Sequence, residues 1–249
     1  MPELMNPLAT GFRLEGTNGE AVVLVHGFTG VPAHFRPLSG FLNDHGYTVV
    51  APRLAGHGTT LADMATTRAD DWIASARNAA EDVADHKRIH LAGLSMGGLI
   101  SLLLAGPTGA ATVTTINSPV IVRDKRLYLA PVVRYFLREV SWPEPETPEL
   151  DEELEQYWIP YPGFPTKSAM GLLSIGGRAL WAARRVEVPT LVIQSRTDET
   201  VDPRSARILA RALGEHARVH WLANSIHVAV LDKERDHIAR EFLDHLKGE

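Results

Sequence analysis

The sequence contains no cysteine, which excludes a disulfide framework and any cysteine-based metal site. It also lacks an excess of basic residues, because 25 Lys and Arg stand against 30 Asp and Glu for a net charge of −5. A nucleic-acid partner is therefore not expected. No apolar run reaches membrane-spanning length, and residues 1–7 carry neither a charged leader nor a continuous apolar stretch. We expect no signal peptide, no integral membrane segment and a cytoplasmic location.

The 249 residues are 45% hydrophobic, enough to bury one large core. Apolar runs rich in β-branched residues alternate with segments of helical periodicity, which predicts a mostly parallel sheet with helices on both faces. The predicted strands lie near 21–26, 47–52, 88–94, 112–117, 190–195 and 218–223, with a short edge strand near 12–15. The predicted helices lie near 34–45, 69–86, 96–106, 167–185, 203–213 and 232–247.

A G-x-S-x-G motif, Gly93-Leu94-Ser95-Met96-Gly97, follows one predicted strand and precedes a helix. This arrangement lifts the hydroxyl of Ser95 above the sheet, and its flanking glycines tolerate a strained backbone and close helix–strand packing. The alternative is that Ser95 simply caps an ordinary helix. By contrast, Ser174 follows no strand and has no glycine two residues before it.

A serine nucleophile needs a base, and the chain contains 11 histidines. In sites of this strand–turn–helix type the acid and then the histidine follow the serine along the chain. Every histidine before Ser95 is therefore excluded as the base. His220 lies in an apolar strand, His216 precedes that strand, and His237 and His245 fall in the last helix. His227, in the loop after the last strand, is the predicted base.

The acid of such a site should follow another strand. Asp198 is the first carboxylate after the run Thr190–Ser195 and is predicted to orient His227. Glu199 is expected to point elsewhere. Asp202 is expected to cap the following helix.

Acyl transfer also needs N–H donors for the developing oxyanion. The backbone amide of Met96 is one predicted donor, and that of Phe28, in the turn His26–Gly30 after a buried strand, is the second. His26, and His57 in the turn Gly56–Gly58, are expected to have structural roles.

Residues 119–165 interrupt the alternation of strands and helices. They comprise an amphipathic stretch (Tyr128–Val140), a proline-rich run from Trp142, a short helical stretch (Asp151–Trp158) and further prolines. The sequence predicts a small helical cap here, with residues 1–118 and 166–249 forming the core. The residues proposed either to line an acyl pocket or to pack the cap are Tyr128, Leu129, Tyr135, Phe136, Leu137, Trp158 and Ile159.

Together these motifs resemble the α/β-hydrolase-fold serine esterases, specifically the bacterial carboxylesterase and monoacylglycerol lipase family. The matching segments are His26–Gly30, Gly46–Thr48, Gly56–Gly58, Asp71-Trp72, Gly93–Gly97, Gln194–Asp198 with Asp202-Pro203, and Ser225–His227 with Leu231-Asp232. The resemblance implies Ser95, Asp198 and His227 as catalytic triad, Phe28 and Met96 as oxyanion donors, and a cap inserted after the sixth-strand position.

One position departs from the family pattern. Ile226 stands where the family usually carries glycine before the catalytic histidine. Because a β-branched residue disfavours positive φ, we expect a different local path for this loop.

The function expected is hydrolysis of short- to medium-chain carboxylic esters, including monoacylglycerols, through an acyl-enzyme, with no cofactor or metal. The alternatives are a thioesterase using the same three residues and a non-catalytic protein that binds a hydrophobic ligand. The chemistry expected of a partner is that of a small-molecule ester. The sequence leaves the oligomeric state open.

Overall fold

The computed structural model describes residues 4–141 and 149–248. The strands of its central sheet are β1 (Phe12–Leu14), β2 (Glu20–Val25), β3 (Thr48–Ala51), β4 (Arg88–Leu94), β5 (Thr112–Ile116), β8 (Thr190–Ser195) and β9 (Ala217–Leu222). A separate pair consists of β6 (Glu139–Ser141) and β7 (Gly163–Pro165). The seven strands of the central sheet follow the order β1-β3-β2-β4-β5-β8-β9, in which β1 is antiparallel to β3 and all the other pairs are parallel.

Helices cover the sheet on both faces, as the alternation predicted. One face packs Trp72, Leu99 and Ile175 into a single apolar cluster, and the other packs Phe35 and Phe242. Such burial contributes roughly 1.5–3 kcal/mol per large apolar side chain. The helices are α1 (Arg36–Asp44), α2 (Leu61–Thr66), α3 (Ala69–Glu81), α4 (Met96–Thr108), α5 (Ala130–Val133), α6 (Glu152–Glu155), α7 (Thr166–Ala183), α8 (Arg204–Leu213) and α9 (Arg235–Lys247).

The α/β fold and its predicted strands are confirmed, because every predicted core strand is present. The short helix α2 was not predicted, since it spans only six residues and carries little periodicity. In the described part of the chain, no helix is both long and apolar enough to cross a membrane.

The segment 119–165 follows β5, the fifth strand along the chain. Its insertion as a cap after the sixth-strand position of the family pattern stays a prediction. The amphipathic stretch Tyr128–Val140, expected to form short helices, is helical only in its first part. A 3₁₀ turn (Lys125–Leu129) and α5 are followed by β6, which pairs with β7. Gly163 permits this close strand pairing, because a Cβ there would overlap the carbonyl oxygen of Val140. The proline-rich run from 142 to 148 lies outside the described residues.

Candidate active site

Ser95 stands in the turn between β4 and α4, with φ 56° and ψ −123°. This conformation with positive φ is costly for a residue with a Cβ and is usually found where the surrounding structure enforces it. Its backbone N–H donates to the carbonyl of Ile116 at 2.7 Å, and Ser118 Oγ donates to the carbonyl of Ser95 at 2.9 Å. Strand β5 and the residues that follow it therefore hold the strained turn from both sides.

The glycines of the motif are required by close packing around Ser95. A Cβ at Gly97 would overlap the carbonyl oxygen of Val25, and a Cβ at Gly93 would overlap the backbone of Gly97. Gly27 faces the serine itself, since a Cβ there would lie 3.0 Å from Ser95 Cβ. The sequence interpretation of Ser95 as a strained turn serine therefore agrees with the geometry, whereas Ser174 lies on an exposed face of α7.

The structure brings His227 and Asp198 together, as predicted. His227 Nδ1 lies 2.9 Å from Asp198 Oδ2, and Asp198 is fully buried. The other carboxylate oxygen accepts hydrogen bonds from the backbone N–H groups of Thr200 and Val201, at 2.8 and 2.7 Å. These donors fix the orientation of the carboxylate. Because Nδ1 of His227 is bound to Asp198, His227 Nε2 is the nitrogen left for chemistry.

Ser95 and His227 line the same cavity. Within the described residues the hydroxyl of Ser95 makes no hydrogen bond. Contacts of this kind are often loose without substrate and tighten in the complex. The arrangement thus presents a free hydroxyl and a free imidazole nitrogen to one space.

The pKa of His227 is raised above its ordinary value. Burial alone lowers it, but the charge and hydrogen bond of Asp198 and the charge of Glu199 outweigh burial. An imidazolium at this position is therefore stabilised, as a base that takes a proton from a serine requires.

Three further carboxylates hold the loop that carries His227. Glu199 accepts the backbone N–H of His227 at 3.1 Å, and Asp232 accepts that of Ile226 at 2.7 Å. Glu234 accepts the N–H groups of Ala223 and Asn224 at 3.0 and 2.9 Å. The expectation that Glu199 points elsewhere is wrong, because its side chain lies against the His227 backbone and the cavity wall. Sequence carries no signal for such a contact across two loops.

Ile226 fits this loop without positive φ. Among the described residues, the non-glycine positions with positive φ are Thr29, Ser95 and Asn117. The N–H of Ile226 donates to Asp232 at 2.7 Å, which fixes the backbone next to His227. The different loop path expected from Ile226 stays a prediction.

Asn117 joins three parts of the site and was missed by sequence reasoning. Its Nδ2 donates to the carbonyl of His227 at 2.8 Å, and its Oδ1 accepts the N–H of Ser195 at 2.7 Å. Its φ of 47° lies in the left-handed region. A polar residue at the end of a buried strand was the available signal.

The two predicted oxyanion donors flank Ser95. Met96 is the first residue of α4, and Phe28 follows Gly27 in the turn facing the serine. Neither N–H has a hydrogen-bond acceptor anywhere in the described ranges. Two unused amides beside a strained serine are what a developing oxyanion needs.

The cavity has a volume of about 580 Å³ and runs from Ser95 under the segment 119–165. Of the apolar residues named from sequence, Trp158 and Ile159 line it. The remaining five point outward and are 44–87% exposed: Tyr128, Leu129, Tyr135, Phe136 and Leu137. Sequence missed further lining residues of the segment: Val122, Asp124, Leu127, Pro160, Tyr161 and Phe164.

His26 and His57 have the structural contacts expected of them. His26 Nε2 accepts the N–H of Leu54 at 3.1 Å, and its Nδ1 lies 2.9 Å from the carbonyl of Gly27. His57 Nδ1 lies 3.1 Å from the carbonyl of Ala55. Burial lowers the pKa of both histidines, that of His57 to about 4. Both are therefore neutral supports of the turns around the site.

Comparison with known proteins places this geometry among hydrolases. The sequence profile of the Alpha/beta hydrolase family matches residues 22–241. A carboxylesterase of Bacillus subtilis (strain 168) is 28% identical over 236 residues, covering 92% of each chain. A thermostable monoacylglycerol lipase of Bacillus sp. (strain H-257) is 31% identical over 229 residues, covering 90% of this chain and 88% of the lipase.

Solved structures agree with this similarity. A structure from work on LipS and LipT, two metagenome-derived lipolytic enzymes, matches with a TM-score of 0.89 and 30% identity. The match covers 98% of this chain and 99% of that one. The resemblance stated from the sequence motifs is confirmed.

Proposed function

The chain belongs to the alpha/beta hydrolase family, and we propose that it cleaves carboxylic esters through an acyl-enzyme formed on Ser95. Its relatives, named carboxylesterase and monoacylglycerol lipase, each cover about nine-tenths of the chain and identify it as a carboxylic ester hydrolase. The observation that carries the mechanism is a strained, uncommitted serine sharing a cavity with a histidine bound to a buried carboxylate.

In the first step, Ser95 Oγ attacks the ester carbonyl while its proton passes to His227 Nε2. The carbonyl oxygen becomes an oxyanion that accepts hydrogen bonds from the N–H groups of Phe28 and Met96. Asp198 keeps its negative charge and stabilises the imidazolium. The bond between the carbonyl carbon and the alkoxy oxygen then breaks, and His227 returns its proton to the departing alcohol.

In the second step, water replaces the alcohol. His227 takes a proton from water, the hydroxide oxygen bonds to the acyl carbon, and the acyl–Oγ bond breaks as Ser95 regains its proton. The products are a carboxylic acid and free enzyme. No step requires a metal or a cofactor, so we expect EDTA to leave the rate unchanged at a temperature well below the unfolding of the metal-free protein. A loss restored by zinc under those conditions would contradict the mechanism.

The substrate class we propose is short- to medium-chain acyl esters of neutral alcohols, with monoacylglycerols among them. The segment 119–165 acts in this proposal as a cap whose apolar side chains receive the acyl chain. Asp124 and Glu199 lie at the cavity wall, and none of the described residues lining it is Lys or Arg. Asp124 is paired with Arg126 at 2.8 Å, so Glu199 supplies the uncompensated charge of this wall. A wall with this negative charge and no Lys or Arg among its described residues disfavours the phosphates of an acyl-CoA thioester, which is why we prefer esters to the thioesterase alternative.

The proposal is tested by labelling with a fluorophosphonate probe. We expect one covalent adduct, located on Ser95 by mass spectrometry of peptides, and loss of p-nitrophenyl ester hydrolysis in parallel. Ser174→Ala, on an exposed helix face, is the matched control and should label as the wild type does.

A substrate panel then separates the alternatives. It should contain p-nitrophenyl esters, monoacylglycerols and acyl-CoA thioesters of equal chain length, and kcat/KM should be higher for the neutral esters. Faster turnover of the CoA thioesters would favour the thioesterase. Binding of a fatty acid without labelling or turnover would favour the non-catalytic alternative.

A further inference from the structure

Three side chains of metal-ligand type meet at the edge of the sheet, outside the cavity described above. His220 lies on the edge strand β9, whereas His237 and Glu241 lie one helical turn apart on α9. One ligand atom of each lies within 4.8 Å of those of the other two. Residues four apart share one face of a helix, so α9 presents two groups to the histidine of the strand.

The contacts among these residues leave ring nitrogens of both histidines without a hydrogen bond. His220 Nδ1 lies 3.3 Å from Glu241 Oε2, and the rings of His220 and His237 have centroids 4.6 Å apart. In the described part of the chain, His237 makes no hydrogen bond and the buried Nε2 of His220 has no partner. All three side chains are half-buried, so they are held in place and still reachable from solvent.

We propose that His220, His237 and Glu241 form a binding site for Zn²⁺. Two imidazole nitrogens and one carboxylate oxygen are a ligand set that zinc accepts, with water in the fourth position. Tetrahedral zinc with bonds of about 2.1 Å places its ligand atoms roughly 3.4 Å apart. The distance of 3.3 Å between His220 Nδ1 and Glu241 Oε2 is already close to that value. Mg²⁺ and Ca²⁺ prefer oxygen ligands and are not expected to bind here.

Arg218 opposes the metal at this site. Its Nη1 lies 3.2 Å from Glu241 Oε2, so it occupies one carboxylate oxygen and brings a positive charge close to the incoming cation. Removal of this guanidinium should therefore strengthen zinc binding. If the cluster were only a surface ion-pair network, removal of Arg218 would not be expected to strengthen zinc binding.

Zinc at this position would fasten β9 to α9. Strand β9 leads directly into the loop that carries His227, and Glu234, at the start of α9, binds the same loop through Ala223 and Asn224. A metal that binds only the folded chain raises its stability by mass action. The expected effect is therefore on unfolding temperature, independent of whether the ester-hydrolase mechanism is correct.

The test is a titration of EDTA-treated, dialysed protein with ZnCl₂, followed by calorimetry and by thermal unfolding. We expect one equivalent to bind. At about 100-fold excess over the dissociation constant the unfolding temperature should rise by roughly 5–10 °C, whereas MgCl₂ should have no effect. His237→Ala and Glu241→Gln should each abolish the rise, and Arg218→Ala should tighten binding by about tenfold. His45→Ala, an exposed histidine of another helix end, is the matched control.

Each variant is first melted in EDTA, so that loss of folding is separated from loss of binding. Binding that is equal in the wild type and His237→Ala overturns the proposal. Binding that is lost in His227→Ala instead would place the metal in the cavity and equally overturn it. Arg218→Ala retains all three ligands, so failure of this variant to tighten binding would show that the ligand assignment is wrong.

Discussion

Ser95 and His227 act on the same proton in the proposed reaction, so removal of either should have nearly the same effect. We expect Ser95→Ala and His227→Ala each to lower kcat by about 10⁶. Asp198→Ala should lower it by roughly 10⁴, because a badly oriented histidine still accepts a proton. The measurement is kcat on a soluble p-nitrophenyl ester. An active Ser95→Ala variant would rule out the acyl-enzyme.

The charge of Glu199 makes a separate residue-scale prediction. His227 accepts the serine proton only when neutral, and its pKa is raised by Asp198 and Glu199 against the effect of burial. The acid limb of kcat/KM should therefore lie above the ordinary histidine value of about 6.5. Glu199→Gln keeps an acceptor for the His227 N–H but removes a negative charge, so the limb should move to lower pH.

Glu234→Gln is the matched control for this pH profile. Glu234 also holds the His227 loop, through Ala223 and Asn224, but it does not contribute to the raised pKa of His227. We expect its acid limb to coincide with that of the wild type. If both variants shift the limb alike, loop position rather than the charge of Glu199 sets the pKa.

At the scale of elements, the 3₁₀ turn and the two strands within residues 119–165 decide which apolar side chains of this segment face the cavity. Leu127 lines it, whereas Phe136 is 87% exposed. Burial of each methylene of an acyl chain adds about 0.8 kcal/mol, nearly fourfold in kcat/KM, until the pocket is full. The rate should rise over short chains and peak at short to medium length.

Filling the cavity should move this peak. We expect Leu127→Trp to shift the optimum to shorter acyl chains, with Phe136→Trp as the control that leaves it in place. Replacement of residues 119–165 by a short linker should flatten the profile if the protein stays folded. The readout is kcat/KM over a series of p-nitrophenyl esters. An unchanged profile in the folded linker variant would mean that the acyl chain binds elsewhere.

For the whole molecule, buried neutral histidines predict loss of stability in acid. The pKa of His34, His57 and His245 is lowered to about 4 in each case, chiefly by burial. An unfolded histidine titrates near a pKa of about 6.5. Between pH values of about 6.5 and 4 the unfolded chain therefore binds more protons than the folded one, and the free energy of unfolding falls as pH falls.

His245→Gln isolates one of these groups. His245 Nε2 donates to the carbonyl of Val113 at 3.1 Å, and a glutamine amide retains a donor there while removing the titration. Urea unfolding at about pH 7.5 and 4.5 gives the loss of free energy of unfolding between these two pH values. We expect this loss to be about 1–3 kcal/mol smaller in His245→Gln than in the wild type. His45→Gln, at an exposed position, should leave this loss unchanged. An equal loss in both variants would contradict the linkage.

The cytoplasmic location expected from the sequence stays a prediction, which fractionation of cells producing the protein would test. The division into a core and a cap at residues 119–165 also stays a proposal until the linker variant is measured.

Local pattern was enough to predict the sheet, its flanking helices and the positions proposed for catalysis. Strand and helix periodicities depend on neighbouring residues, and a glycine-flanked serine between them has few alternative conformations. The chain order of Ser95, Asp198 and His227 follows from strands whose carboxyl ends meet at one sheet edge. Each of these features is contained within a short window of sequence, which is why the amino-acid sequence by itself determined them.

Only the tertiary structure decided which polar groups from distant segments meet. Glu199 lies at the His227 backbone and Asn117 joins β5 to the same loop, contacts between residues 28 and 110 positions apart. His220 likewise meets α9 only because β9 and α9 pack together. The pairing of β6 with β7 within residues 119–165 was also decided by packing, because the sequence pattern indicated only short helices there. The sequence determined the secondary-structure elements and the proposed reacting groups. Long-range packing decided which charged side chains lie near those groups and which side chains line the cavity.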